Sequence, residues 1–541
     1  MFSKMLFMIS WLAGLPYLIY KLNTQLHMLQ LNSYMNSRYL LWLRRNFARA
    51  LRPVEFLPLV PLLLFVLWLR VEAVAAEVAV ASGTVAASVI FGLISLLLFF
   101  SRPQIKAKKK LSYTARVKRL FAAVFLLTAT LFLLLLQRQA EPFAFLLVLG
   151  LLQLLVFALV LGSNTVLAPV EKSINYYYYR DAARKIGAMP RLKVIGITGS
   201  YGKTSTKHIV QKILAQKFNV LMTPGSYNTT MGVVLTIRKM LSPLHDLFIT
   251  EMGAKKVGDI TEICQLVKPT YGILTSIGPQ HLETFKTLDN VQKTKYELIR
   301  ALPPEGMSFL NSDDPLIMDG WERYGQQGIR YITYGIDGDK AEIQAKNIRY
   351  SEEGMDFTAV KGEQEYSFST KLLGKHNLYN ILAGISLGFA LGMDYKSIYA
   401  GVRELTPIEH RLQIKRKADH VIVDDAYNAN PVGTKMALEV LQLISGNKKI
   451  LITPGMIELG SQEYELNKTF GRQAAQVCDY IILVGEKQTK PLQDGLRELN
   501  YPQEKYCIVK DIFAAFQHLE IIREKNDIIL IENDLTDDYS Q

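Results

Sequence analysis

The pattern of apolar and polar positions changes character about a third of the way along the chain. Up to about residue 170, apolar residues run nearly unbroken through windows at roughly 5–20, 54–71, 84–100, 119–136 and 142–162. A helix needs about 20 such residues to cross a bilayer core, so these windows predict five membrane spans in an N-terminal α-helical domain over 1–170. After a tyrosine-rich connector, Tyr176–Tyr179, short apolar runs alternate with amphipathic ones. That alternation is the signature of an α/β fold. Arg191–Thr198 reads as a buried strand, Gly199–Lys203 as a turn and Thr204–Phe218 as a helix. Phe248–Gly253 and Tyr271–Ser276 read as further strands, Thr333–Thr370 as a β-rich insertion, and Leu372–Gly392 as a loop entering an apolar helix. After a break near Leu405–Glu409, strands at His420–Asp424, Lys449–Thr453, Tyr480–Val484 and Ile528–Ile531 alternate with helical stretches. They predict a second doubly wound unit, of a size (about 130 residues) that buries its own core. The expected domains are therefore 1–170, 171–408 and 409–541.

Charge sharpens this division. The 541 residues carry a formal net charge of +13. Residues 1–170 hold 17 Lys and Arg against 4 acids, which accounts for all of it and leaves the rest neutral. A basic footprint for nucleic acid is thereby excluded from the α/β part. Lys21, Arg38, Arg44, Arg45, Arg49 and Arg52 lie between the first two apolar windows, and Arg102, Lys106, Lys108, Lys109, Lys110, Arg116, Lys118 and Arg119 between the third and fourth. Basic loops mark the cytoplasmic side, so the expectation is a multi-pass cell-membrane protein with membrane lipid as a partner and cytoplasmic catalytic domains. The three cysteines, Cys264, Cys478 and Cys507, make neither a disulfide framework nor a zinc spacing.

Candidate chemistry begins at Thr198–Thr204 (TGSYGKT). Between a buried strand and a helix, such a glycine turn presents backbone N–H groups and a helix N-terminus to anionic oxygens. Gly199, Ser200, Gly202, Lys203, Thr204 and Ser205 are thus candidate phosphate-binding residues, with Lys203 adding charge and the Thr204 hydroxyl facing Mg²⁺. Glu251 ends an apolar strand, where open α/β sheets hold their ligands and where an acid can reach the same ion. His281 follows the next strand.

Read together, Thr198–Thr204, Glu251–Gly253 with Gly258–Ile260 (GDI), His281–Phe285 (HLETF), Lys295–Leu298 (KYEL), Asn311–Asp314 (NSDD), Gly374–Asn380 (GKHNLYN), Arg411, Asp425–Pro431 (DAYNANP) and Glu458–Gly460 (ELG) resemble, in order, the Mur ligases, ATP-dependent amide ligases of peptidoglycan precursor synthesis. The text is most similar to the branch that joins D-alanyl-D-alanine to a UDP-N-acetylmuramoyl-tripeptide. The resemblance implies a P-loop central domain and a C-terminal Rossmann-like domain. It also implies ATP, two Mg²⁺ ions held by Thr204, Glu251, His281 and Lys295, and carbamylation of Lys295. Lys203, Lys295, His281 and Arg411 would be catalytic, Asn311, Asn377 and Asn380 would line the adenine side, and Asp425 and Asn428 would complete the nucleotide and acceptor side. The implied partners are a small-molecule or lipid-linked cell-wall precursor and an amino acid or dipeptide. A membrane P-loop ATPase without ligation is the alternative reading.

Three departures stand out. Ser226 and Thr229 occupy asparagine positions of the family's T-x-G-N-x-N-N loop, Gly455 replaces an aspartate in Thr453–Gly460 (TPGMIELG), and apolar sequence stands where the family carries its uridine-nucleotide domain. Conserved catalysis with altered donor recognition is the expectation.

Overall fold

The computed structural model describes residues 2–47, 51–71, 77–102, 110–137, 142–338, 341–351, 354–427, 429–457 and 459–533. The chain divides into two compact units, one running up to Asn175 and the other from Tyr176 onward.

The first unit is helical: Phe2–Leu31, Asn36–Arg45, Val60–Val71, Glu77–Phe100, Ala115–Gln137, Pro142–Leu154 and Val156–Gly187, the last running past Asn175. Its apolar contacts gather Leu26, Leu29, Tyr39 and Val160 in one cluster and Leu62, Phe91 and Leu149 in another. Polar groups are buried and paired within it. Lys21 bonds to Glu55, Arg119 grips Glu171 through two parallel bonds of 2.6 and 2.8 Å, and Tyr39 donates to Gln25 Oε1 at 2.6 Å.

The expected five spans are corrected here. Among the described residues only Gly83–Phe100 and Ala115–Leu135 are helices long and apolar enough to cross a membrane, or three if the bent pair Ala144–Leu154 and Val156–Gly187 is one span. The causes are local. Pro53 and Pro58 turn the start of the second window into a 3₁₀ segment, Pro53–Leu59, leaving a 12-residue helix. The last window breaks by 78°. Tyr176–Tyr179 is not a connector but lies inside the helix Val156–Gly187.

The second unit is α/β. A nine-stranded sheet has the order β2-β3-β1-β4-β5-β6-β7-β8-β9, with β1 Lys193–Thr198, β2 Val220–Met222, β3 Leu247–Glu251, β4 Tyr271–Leu274, β5 Met307–Asn311, β6 Arg330–Gly335, β7 Ile343–Ser351, β8 Gly354–Lys361 and β9 Gln364–Thr370. Strands β2 to β6 and β1 are parallel, and β7–β8–β9 form an antiparallel meander on the edge. All of β1 after Lys193 is buried, as a central parallel strand with both faces covered must be. β1 lies between β3 and β4, so the chain leaves it in opposite directions and a crevice opens at its carboxyl end.

A six-stranded sheet follows, in the order β10-β11-β15-β12-β13-β14, with β10 Gln413–Arg416, β11 His420–Asp425, β12 Lys449–Thr453, β13 Tyr480–Val484, β14 Tyr506–Val509 and β15 Asp527–Glu532. Only β10 is antiparallel. Val423, Leu451, Leu483 and Leu530 fill its core on one face, and Ile450, Ile482 and Ile529 on the other.

Candidate active site

The turn after β1 is shaped by glycine. Gly199 and Gly202 have φ of 152° and 78°. A Cβ at Gly199 would lie 2.0 Å from Thr275 Oγ1, so no other residue fits. Gly202 caps the helix Lys203–Leu214 without any side-chain bond, so its first N–H groups have no side-chain cap. That helix starts one residue before the sequence reading and stops earlier, at Leu214. Ser200 fastens the turn by donating to the Gly278 carbonyl at 2.9 Å.

Cations then converge on one acid. Lys203 folds back to donate to the carbonyls of Gly199 (2.7 Å) and Ser200 (2.9 Å). Burial pushes it down to about 8, with Arg411 acting the same way and Glu251 against. Glu251, at the end of β3, is fully buried. Its Oε1 accepts from Thr204 and from Asn228, each at 3.1 Å. Its Oε2 lies 3.0 Å from Nζ of Lys207, itself wholly buried. Burial alone would raise this carboxyl, but Lys207 and Lys203 outweigh it and hold it below the usual range. Arg411 reaches in from the start of the last domain, donating to Thr204 Oγ1 at 3.2 Å. Its guanidinium lies 4.2 Å from the centre of the Tyr427 ring. The Tyr427 hydroxyl in turn bonds to Ser226.

Lys295 is buried rather than solvated, at the end of the helix Leu288–Lys295. Burial and the nearby charge of Lys203 push its amine well below its ordinary value, against the pull of Glu297 and Asp259. A cavity of about 560 Å³ beside the phosphate turn is lined by Ser205, His208, Asn377, Arg411 and Leu412 among others. Burial pushes His208 down to about 4, so it presents a neutral ring.

These residues suit a nucleoside triphosphate with Mg²⁺. The glycine cradle and bare helix start fit phosphate, and the adjacent hydroxyl and carboxylate of Thr204 and Glu251 are hard oxygen donors.

His281 caps the short helix Leu282–Phe285 with φ 51°, and no group of three His, Cys, Asp or Glu side chains able to hold a metal forms among the described residues. Asn311 is turned inward, accepting from its neighbour Asp313 N at 3.2 Å, and Asn380 accepts from Thr206 at 2.8 Å beneath the phosphate helix. Of the three asparagines only Asn377 lines the cavity. Asp425 ends β11, and its carboxyl accepts from Leu412 N at 3.0 Å. Asn428 and Glu458 lie outside the described residues. Lys207 was missed, although its place one turn beyond Lys203 puts both on one helix face.

Comparison with known proteins then settles the family. Residues 197–388 match the Mur ligase middle domain and 410–532 the Mur ligase glutamate ligase domain. The chain belongs to the Mur ligase family. Mur ligases are ATP-dependent peptide ligases. Similar relatives are the UDP-N-acetylmuramoyl-tripeptide–D-alanyl-D-alanine ligases of Bacillus subtilis, 32% identical over 52% of this chain and 59% of that protein, and of Escherichia coli, 30% identical over 54% and 65%. The chain thus spans less than two thirds of either relative. Among solved structures, MurF of Thermotoga maritima in complex with ADP is 25% identical, with a TM-score of 0.59 over 66% of this chain and 80% of that one. MurF of Acinetobacter baumannii, at 24% identity and a TM-score of 0.60, covers 66% and 77% and shares the fold. None of these likenesses supports the multi-pass membrane placement expected from the sequence, and the helix lengths leave two or three candidate spans among the described residues in place of five.

Proposed function

We propose that this Mur ligase uses ATP to activate a carboxylate as an acyl phosphate and joins it to an amine, with a UDP-N-acetylmuramoyl-tripeptide and D-alanyl-D-alanine as the nearest named substrates. The observation that carries this reading is the meeting of Lys203, Glu251 and Arg411 around Thr204, two domains contributing to one phosphate turn. A carboxylate is a poor electrophile and repels the γ-phosphate it must attack. Lys203 and Arg411 offset that repulsion, and the turn's N–H groups hold the phosphate oxygens. The carboxylate oxygen bonds to phosphorus as the bond to ADP breaks. The amine nitrogen then bonds to the acyl carbon, inorganic phosphate leaves and the nitrogen gives up a proton. Mg²⁺ held by Glu251 and the Thr204 hydroxyl would supply further neutralisation of the phosphate oxygens. The closing of Arg411 onto the turn and of Tyr427 onto Ser226 keeps water from the acyl phosphate.

Lys295 fits carbamylation. Burial disfavours the charged form of this amine, and an unprotonated amine nitrogen adds to CO₂ with loss of a proton. Ser226 and Thr229, in place of asparagines, suit a donor whose peptide end differs in detail from that of the relatives.

The test is ADP release by the full-length protein. Release that needs both UDP-N-acetylmuramoyl-tripeptide and D-alanyl-D-alanine, and that vanishes in Lys203→Ala, is expected. Release indifferent to any amine would overturn ligation.

A further inference from the structure

The backbone around Arg411 is under constraint. His410 and Leu412, on either side of it, both have left-handed φ, 58° and 49°. For non-glycine residues such conformations persist only where surrounding bonds enforce them. Two bonds do so here: Tyr427 N donates to the His410 carbonyl at 3.2 Å, and Leu412 N donates to Asp425 Oδ1 at 3.0 Å. Behind Asp425, directly beside it in the parallel register of β11 and β15, stands Glu532. Glu532 is 0% exposed, and neither of its oxygens receives an N–H or O–H donor among the described residues other than the Asp425 carboxyl itself. Two carboxyls so placed bind each other only through a shared proton.

We propose that Glu532 is a positioning residue: by sharing one proton with Asp425 it fixes the carboxylate that clamps Leu412 and so aims Arg411 at the phosphate turn. The inference rests on the proposed nucleotide role of Arg411, but not on the identity of donor or acceptor. Burial beside Asp425 pushes Glu532 well above the carboxylate range, so it holds the proton. Burial pushes Asp425 up to about 6, against the Leu412 N–H and Arg411. The other charged groups facing the pair are Arg411 and Asp424, and Asp424 is tied to Lys415 at 2.6 Å and His410 at 2.8 Å. As pH falls through about 6, Asp425 gains a proton, the clamp on Leu412 weakens and Arg411 loses its aim.

Two measurements on the full-length protein test this. Infrared difference spectra at neutral pH should contain the C=O stretch of a buried protonated carboxyl that disappears in Glu532→Gln. The affinity for a fluorescent ATP analogue should fall roughly tenfold as pH drops through the Asp425 transition, the worth of one charge-assisted contact. In Glu532→Gln the amide donates to Asp425 more weakly than the shared proton does, so less holds the carboxylate down and this acid limb should move to higher pH by about one unit. In Asp425→Asn the limb should be gone, with affinity at the weak level throughout. An acid limb unmoved in Glu532→Gln, or the absence of the carboxyl band from the unsubstituted protein, overturns the proposal. Neither measurement needs an acceptor, so failed ligation with intact pH behaviour would count against the substrates and not against Glu532.

Discussion

The carboxyl ends of the two parallel sheets have opposite electrostatic character. At the end of β1 and β3, Lys203 and Lys207 surround the single carboxylate of Glu251, with Arg411 arriving from the next domain. At the end of β11 and β15, Asp424, Asp425 and Glu532 crowd together, and relief comes from Lys415, from His410 and from a shared proton. The same strand-end position thus serves a cation-rich pole fitted to triphosphate and an acid-rich pole that steadies the arm reaching across. Arg411 belongs to the second by its backbone and to the first by its side chain.

The comparison breaks most severely at Lys203. Lys203→Ala should lower ATP-dependent turnover by about a hundredfold or more, measured as ADP release, because the developing phosphate charge loses the cation of the phosphate turn. Lys207→Met tests whether the excess of cations is structural. Leaving Glu251 buried without its 3.0 Å ion-pair partner should cost about 3–5 kcal/mol in denaturant unfolding, and Lys207→Met with Glu251→Gln should recover much of it. If the single variant is as stable as the unsubstituted protein, the buried pair is not what balances this pole. The pH dependence separates the poles. Burial has brought Lys203 down from 10.5 to about 8, so its charge is full below that value and lost as pH rises through it. Nucleotide affinity should therefore decline on the alkaline side through Lys203. A flat alkaline profile would remove Lys203 from phosphate binding. The smallest effect belongs to the contact joining the poles: Ser226→Ala and Tyr427→Phe should each weaken nucleotide binding by about 1 kcal/mol or less, and together by no more than either alone. Additive losses would mean that the two hydroxyls act separately.

What could be read from the chain follows from how local each signal is. The phosphate turn was legible because strand, glycine and helix are contiguous from Lys193 to Leu214. Arg411 and Asp425 were legible through motif text, but their link through the Leu412 N–H spans two elements and leaves no spacing to find. Glu532 ends an apolar run, IILIE, and reads as a strand's polar stop; only the register with β11 brings it against Asp425. Lys207 reads as an exposed helical lysine until β3 delivers Glu251 to it. The apolar windows of the first unit misled because hydropathy averages over prolines and over pairs such as Lys21 with Glu55.

Gly199 carries one more consequence. With only 2.0 Å between a methyl group there and the Thr275 hydroxyl, even alanine would drive β1's exit away from β4 and spread the cradle open. In a library randomised at this codon and selected for growth dependent on the enzyme, survivors should encode glycine alone.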